Sequence, residues 1–382
     1  MLFCIFKIMG KSVAKVKSDK TFFHGKAAVT GVLLTNLGTP AEATPPAVRK
    51  FLKQFLSDGR VIEIPKIIWW IILNAFILPK RPKESAKNYQ KVWMEEGSPL
   101  MHYSEQQQKL LQQEMKVRFK GPVHIELAMR YGDPSIEAGL EALQKKGARR
   151  VLVLPLYPQY SATTTATTFD CVYKHFLGKR WIPELRFISQ YHDDPSYINS
   201  VAKSIETHWK NNGKSEVLLM SFHGLPRRNL ELGDPYFCHC HKTGRLIAEK
   251  LGLEESQWRL TFQSRFGKAE WIQPYTDQTL MALPGEGVKT IDVVCPGFPS
   301  DCVETLEEMN MENREYFMEA GGEEYHLIPC MNDHPDHIQA LADLIQLHTQ
   351  GWTETDANWE TAEAEKQSGV SKQQALEKGA KL

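Results

Sequence analysis

His223 closes the run LLMSFH and is followed at once by Gly224, Leu225 and Pro226. An apolar run of this kind reads as a buried strand, and glycine and proline directly after it mark the turn at its carboxyl end. The imidazole is then held at a strand tip, where glycine permits close approach to a ligand and proline sets the turn. An imidazole so placed can accept a proton near neutrality or bind a metal ion. Asp301, Glu304 and Glu308, in PSDCVETLEE, stand at i, i+3 and i+7, which puts three carboxylates on one face of a helix. Asp301 and Glu304 also fit a capping box, which satisfies backbone groups and needs no ligand. A cap does not account for Glu308, and a row of carboxylates can pass a divalent cation or a proton along one face. Residue types alone leave both accounts of the row open.

Other polar clusters carry less. CHCH, Cys238 to His241, has a tighter spacing than a zinc knuckle and no second paired-cysteine motif to complete four ligands. Whether Cys238 and Cys240 bind metal stays open on this ground. NLGTP, Asn36 to Pro40, has neither G-x-G-x-x-G nor the Walker pattern, which speaks against a nucleotide enzyme.

These side chains need a scaffold. Short runs rich in branched residues alternate with longer helical patterns, which predicts parallel sheets wound with helices. The candidate strands are GVLLTNL, HIELAMR, RRVLVLPL, LRFISQY, EVLLMSF, WRLTFQS, TIDVVC and EYHLIP, two sets of four. Helical spacing marks SIEAGLEALQKKG, PSYINSVAKSIETHWKN and HKTGRLIAEKLG. AMRYGDP and QSRFGKA echo each other across the halves and hint at duplication. In such sheets ligands sit outside the carboxyl ends of the strands. Those ends carry Asn36, Arg130, Tyr131, Tyr157 to Ser161, His223, Ser264 and Arg265, so an active site is expected between two halves.

A chain of 382 residues suits two domains and tails, and 46 basic against 46 acidic residues leave no basic footprint for nucleic acid. Seven cysteines without a regular framework indicate a reducing compartment, hence a cytoplasmic protein. The expected organisation is a disordered leader over 1–26, a first Rossmann-like domain over 27–190, and a second over 191–335. A helix over 336–350 packs back on the first domain, and 351–382 is a polar tail. The most apolar stretch, IIWWIILNAFILP at Ile67 to Pro79, falls short of the roughly 20 residues that span a bilayer. Its two tryptophans and flanking lysines suit a surface dipping into lipid headgroups, or else a buried helix.

LLTNLGTP, EEGSPL, AMRYGDPS, LPLYPQYSATT, SFHGLP, FQSRFG, PYTD and CPGFPSDCVETLEE follow one another between about Gly31 and about His348. In that order they resemble the ferrochelatase family of bacterial type. The resemblance implies an α/β fold of two Rossmann-like domains, each a four-stranded parallel sheet flanked by helices. It implies insertion of ferrous iron into protoporphyrin IX to form protohaem, the last step of haem biosynthesis, with porphyrin and iron as partners and no cofactor required. By similarity His223 and Glu304 are the metal-associated pair, with Glu308 and Asp301 carrying metal or protons beside them. Leu37, Arg81, Tyr89, Ser98, Arg130 and Tyr131 would line the porphyrin pocket, arginine meeting propionates. Read by type alone, Arg81 also suits a surface ion pair and Tyr89 plain packing. The apolar stretch over 67–78 matches the lip by which relatives touch the membrane, so peripheral association with the inner membrane is expected. Animal relatives carry an iron–sulfur cluster on a cysteine-rich tail; no cysteine follows Cys330, and no such cluster is expected. Cys302 stands where some relatives have histidine. The alternatives are a coproporphyrin ferrochelatase, another tetrapyrrole metal chelatase, and a porphyrin or haem carrier without catalysis.

Overall fold

A computed structural model describes residues 25–380; most of the expected leader lies outside the described residues. The eight apolar runs become eight strands: β1 (Val29–Asn36), β2 (Val123–Met129), β3 (Ala148–Pro155), β4 (Glu184–Phe187), β5 (Val217–His223), β6 (Trp258–Gln263), β7 (Thr290–Val294) and β8 (Glu324–Leu327). β1 is buried along its whole length, as a parallel strand covered on both faces must be. All pairings are parallel and form two four-stranded sheets, ordered β2-β1-β3-β4 and β6-β5-β7-β8. The same order occurs twice, in keeping with the echo between the two halves.

Between β1 and β2 lie α1 (Pro45–Leu56), α2 (Lys66–Ile72), α3 (Leu78–Val92) and α4 (Pro99–Arg118). α5 (Ile136–Lys146) and α6 (Thr167–Phe176) complete the first half, and α7 (Pro195–Asn212) leads into the second. There follow α8 (Arg227–Glu231), α9 (Tyr236–Lys250), α10 (Thr276–Ala282), α11 (Asn313–Glu319), α12 (Pro335–His348) and α13 (Thr361–Glu377). Local chemistry sets several ends. Ser135 accepts from the Ala138 amide at the start of α5, and Asp194 accepts from Ser196 and Tyr197 at the start of α7, where Pro195 takes the first turn.

One apolar cluster runs through both halves, joining Leu34 and Leu154 of the first sheet to Met220 and Phe222 of the second through Ile205 of α7 and Leu341 and Ile345 of α12. α12 lies against α7 and α4, and Arg118 of α4 reaches Gln339, Asp343 and Gln346 on it. The polar run after Gly351 differs from a free tail at its start. Trp352 is 2% exposed and donates its indole N–H to Glu184 at 2.7 Å, while the Glu354 carboxylate pairs with Arg150. A single tryptophan among polar neighbours is enough to anchor what composition averages as a tail.

α2, a π-helical turn at Leu73–Ile77 and α3 make one continuous helical arm. Leu73 and Leu78 face inward, whereas Ile67, Ile68, Trp70, Ile71 and Phe76 are exposed. No helix of the described residues is long and apolar enough to cross a membrane.

Candidate active site

A cleft of about 450 Å³ opens where the carboxyl ends of β1 and β5 approach each other, a size typical of small-molecule sites, which run from about 300 to 1,000 Å³. His223 is in its wall. The Nδ1–H donates to the Gly224 carbonyl oxygen at 2.6 Å, so a neutral ring keeps Nε2 as the lone-pair acceptor. Gly224 is required, though not for a ligand. A Cβ there would lie 2.7 Å from the Gln263 carbonyl oxygen, to which the Gly224 amide donates. The glycine lets β5 leave its sheet close beside the end of β6, and so aims the histidine.

The carboxylate row differs from the expected one. Residues Glu304–Glu312 form a π-helix, whose i→i+5 bonding puts more than four residues in each turn. Residues four apart share a face in such a turn, as they do in an α-helix, and Glu304, Glu308 and Glu312 all line the cleft. Asp301 is not among the lining residues. It lies before the π-helix and is buried, accepting from Thr305 Oγ1 at 2.9 Å and Asn332 Nδ2 at 2.7 Å. Asp301 thus stands beside the row rather than in the cleft wall, with its oxygens hydrogen-bonded inside the fold.

Glu308 accepts from the Ser264 amide at 2.6 Å and from Ser264 Oγ at 2.5 Å. Burial, opposed by these bonds and reinforced by the Glu304 charge, pushes its carboxyl up to about 7. A carboxyl so tuned exchanges protons near neutral pH. Glu307, also in the wall, is tied to α3 by Lys91 at 2.6 Å and Asn88 at 3.0 Å. The Cys302 thiol is pushed up by burial and by Glu304, which keeps it protonated.

Leu37, Arg81, Tyr89 and Ser98 line the same cleft. Gly38 (φ 108) sets the loop that carries Leu37, since a Cβ would meet the Tyr131 carbonyl oxygen at 1.7 Å. Ser98 accepts from Thr39 Oγ1 at 2.8 Å, and burial with the Glu304 charge raises the Tyr89 phenol well above its ordinary value. Arg81 lies over the Phe266 ring at 5.5 Å from its centre. Arg130 and Tyr131 are not among the residues lining this cleft. The Arg130 guanidinium pairs with Asp58 and bonds Thr167, and the Tyr131 hydroxyl donates to Asp58 at 3.0 Å. Both side chains point into the first half, where a buried carboxylate needs them.

Residue types alone passed over the apolar floor of Phe51, Leu52 and Phe55 on α1, together with Tyr236 and Phe298. The helical spacing of α1 was a signal for a buried face, without saying what it faces. Around CHCH, Cys240 is buried, Cys238 is exposed and His239 stacks on His192 at 3.8 Å. No three ligand atoms gather there among the described residues.

The family model described as Ferrochelatase matches residues 29–349, which hold both sheets and the whole cleft. The chain belongs to the ferrochelatase family. A ferrochelatase of Thioalkalivibrio sulfidiphilus is 52% identical over 363 residues, covering 95% of this chain and 98% of that one. A ferrochelatase of Marinobacter nauticus is 55% identical over 329 residues, covering 86% and 89%. SirB from Bacillus subtilis, solved with Fe3+, has a similar fold at 14% identity, with a TM-score of 0.51 over 86% of this chain and 100% of that one. As a ferrochelatase the chain is an enzyme that inserts iron into a porphyrin in haem biosynthesis.

Proposed function

We propose that the porphyrin is protoporphyrin IX, that ferrous iron enters as substrate, and that His223, Glu304 and Glu308 carry the exchange of metal for protons. The observation that carries this reading is one cleft lined by an imidazole whose Nε2 keeps its lone pair, by the carboxylates of Glu304, Glu307, Glu308 and Glu312 on the π-helix, and by the apolar side chains of α1. Insertion removes two pyrrole protons and strips water from the iron. His223 Nε2, with its single lone pair, meets the incoming iron first and, once the iron has passed to the ring nitrogens, accepts one of the two pyrrole protons. Glu304 balances the charge of the iron from the π-helix, and Glu308, poised near neutrality, takes a proton onward toward Glu312. Leu37, Phe51 and Phe55 cover the macrocycle, Ser98 and Tyr89 offer hydrogen bonds at its edge, and Arg81 at the wall meets a propionate. The reading needs no resident cofactor and no iron–sulfur cluster.

Protoporphyrin IX is poorly soluble, and the arm of α2 supports delivery from lipid. Ile67 and Trp70 are 80% and 66% exposed beside helices that form the cleft. An exposed apolar patch flanked by lysines suits a peripheral contact with the inner membrane from the cytoplasmic side. Anaerobic absorbance spectroscopy with ferrous iron tests the reading. The free-base spectrum of protoporphyrin IX is expected to convert to that of haem faster than coproporphyrin III converts. His223→Ala is expected to bind porphyrin while insertion falls at least about 100-fold. Faster turnover of coproporphyrin would overturn the substrate, and unimpaired turnover by His223→Ala would remove that residue from the chemistry.

A further inference from the structure

His208 on α7, Asp292 on β7 and His326 on β8 bring three ligand atoms within 4.8 Å of one another, away from the cleft. Asp292 and His326 are register partners on adjacent parallel strands, so both project from the same face of the sheet, toward α7. Asp292 is also level with Leu218 on β5, and from Leu218 to His223 that strand runs on for about 16 Å at about 3.3 Å per residue. The cluster therefore sits well back from the tip that carries the active-site imidazole.

The carboxylate is oriented before any ion arrives. Asp292 Oδ2 accepts from Trp209 Nε1 at 2.7 Å and from the Ser215 amide at 3.0 Å, and Oδ1 accepts from Ser215 Oγ at 2.8 Å. Oδ1 then faces two imidazoles, His326 Nδ1 at 3.2 Å and His208 Nε2 at 3.6 Å. His208 Nε2 is buried and has no hydrogen-bond partner. A buried polar nitrogen left so is costly unless something else occupies the space. Two ligands at about 2.0–2.1 Å from a tetrahedral zinc ion lie about 3.3 Å apart, close to both distances. His326 is partly exposed, which leaves room for its ring to close in and for water as a fourth ligand.

We propose that His208, Asp292 and His326 form a second metal site, for a divalent transition ion of the zinc class, which clamps α7 to the second sheet. Nitrogen and carboxylate donors without thiolate suit zinc, cobalt or nickel over magnesium or calcium. Binding at His208 Nε2 puts the ring proton on Nδ1, so the Asn212 amide nitrogen, 3.2 Å away, gives up that contact and keeps its bond to the His208 carbonyl oxygen at 3.1 Å. Ser215 and Trp209 hold the aspartate as outer partners.

The test uses the full chain carrying His223→Ala, which removes the imidazole of the cleft, after stripping metal with a chelator. Zinc is added and thermal unfolding followed; cobalt is then titrated and read by its visible absorbance. The expected result is a saturable rise in Tm of several degrees and one equivalent of cobalt, both lost when His326→Ala is added. Metal-free unfolding of the two variants should coincide, because His326 lies at an edge; where it does not, His208→Asn is read in its place. No rise in Tm, or the same rise and cobalt stoichiometry without His326, would reduce the cluster to a hydrogen-bonded group and overturn the site.

Discussion

Ser264 holds Glu308 with an amide and a hydroxyl while its own backbone is left-handed, with φ of 65. A conformation of that kind costs about 1–3 kcal/mol in a residue other than glycine, and here it puts two donors on one carboxylate. Even so the Glu308 carboxyl titrates near 7 because burial dominates. Its folded value lies above its unfolded value of 4.5, so the native state holds the proton more tightly and this contribution to stability is lost as pH rises from about 4.5 through about 7. Glu308→Gln keeps the shape without the titration. Urea unfolding across that range should show wild type losing about 3 kcal/mol relative to the variant, and a constant difference between the two would place the perturbation elsewhere. Arg130 belongs to a different argument. Its guanidinium neutralises Asp58, which also accepts from Thr167 and Tyr131. Arg130→Ala strands a largely buried carboxylate and should cost about 3 kcal/mol in denaturant unfolding. The folded fraction should bind porphyrin as before; weakened binding with intact stability would return Arg130 to the pocket.

The π-helix and the apolar arm each show an element deciding what single residues cannot. The π-helix brings Glu304, Glu308 and Glu312 to the cleft, while Asp301, before its first turn, is bonded inside the fold to Thr305 and Asn332. Glu307, on the same element, takes Lys91 and Asn88 from α3, so the acidic wall and the arm are directly connected. On that arm Trp69 turns inward and donates to the Leu56 carbonyl oxygen at 2.6 Å, while Trp70 turns out. Adjacent tryptophans thus differ, one anchoring the arm and one exposed to solvent. Replacing Trp70 and Ile71 by serine should lower partitioning onto vesicles containing anionic lipid at least about tenfold, since each such side chain gains about 1.5–3 kcal/mol on full burial. Insertion measured in detergent should be unchanged. Undiminished partitioning in a sedimentation assay would move membrane contact off this arm.

The two halves are one body because α7 and α12 share a core with both sheets and because the chain returns after α12 to the first sheet. Trp352 is the end of that return, stacked under Arg186 and bonded to Glu184 on β4. Trp352→Ala should lower unfolding free energy by about 3–5 kcal/mol, whereas deleting residues from 361 onward should leave the denaturation midpoint nearly unchanged, because α13 buries none of its side chains. A large loss on that deletion would show that α13 supports the fold. Residue order alone determined the eight strands, their division into two sets, several of the helices between them and the kinship to ferrochelatases. Strands buried on both faces are written as short aliphatic runs, and ordered motifs do not depend on knowing any contact. Tertiary structure decided which polar residues at strand ends face the cleft and which face each other. Arg130 and Asp301 have the right types and places in the chain, but partners remote in sequence, Asp58 and Asn332, claim them. The distant trio of His208, Asp292 and His326 likewise exists only where a helix crosses two paired strands, since no local spacing joins those residues.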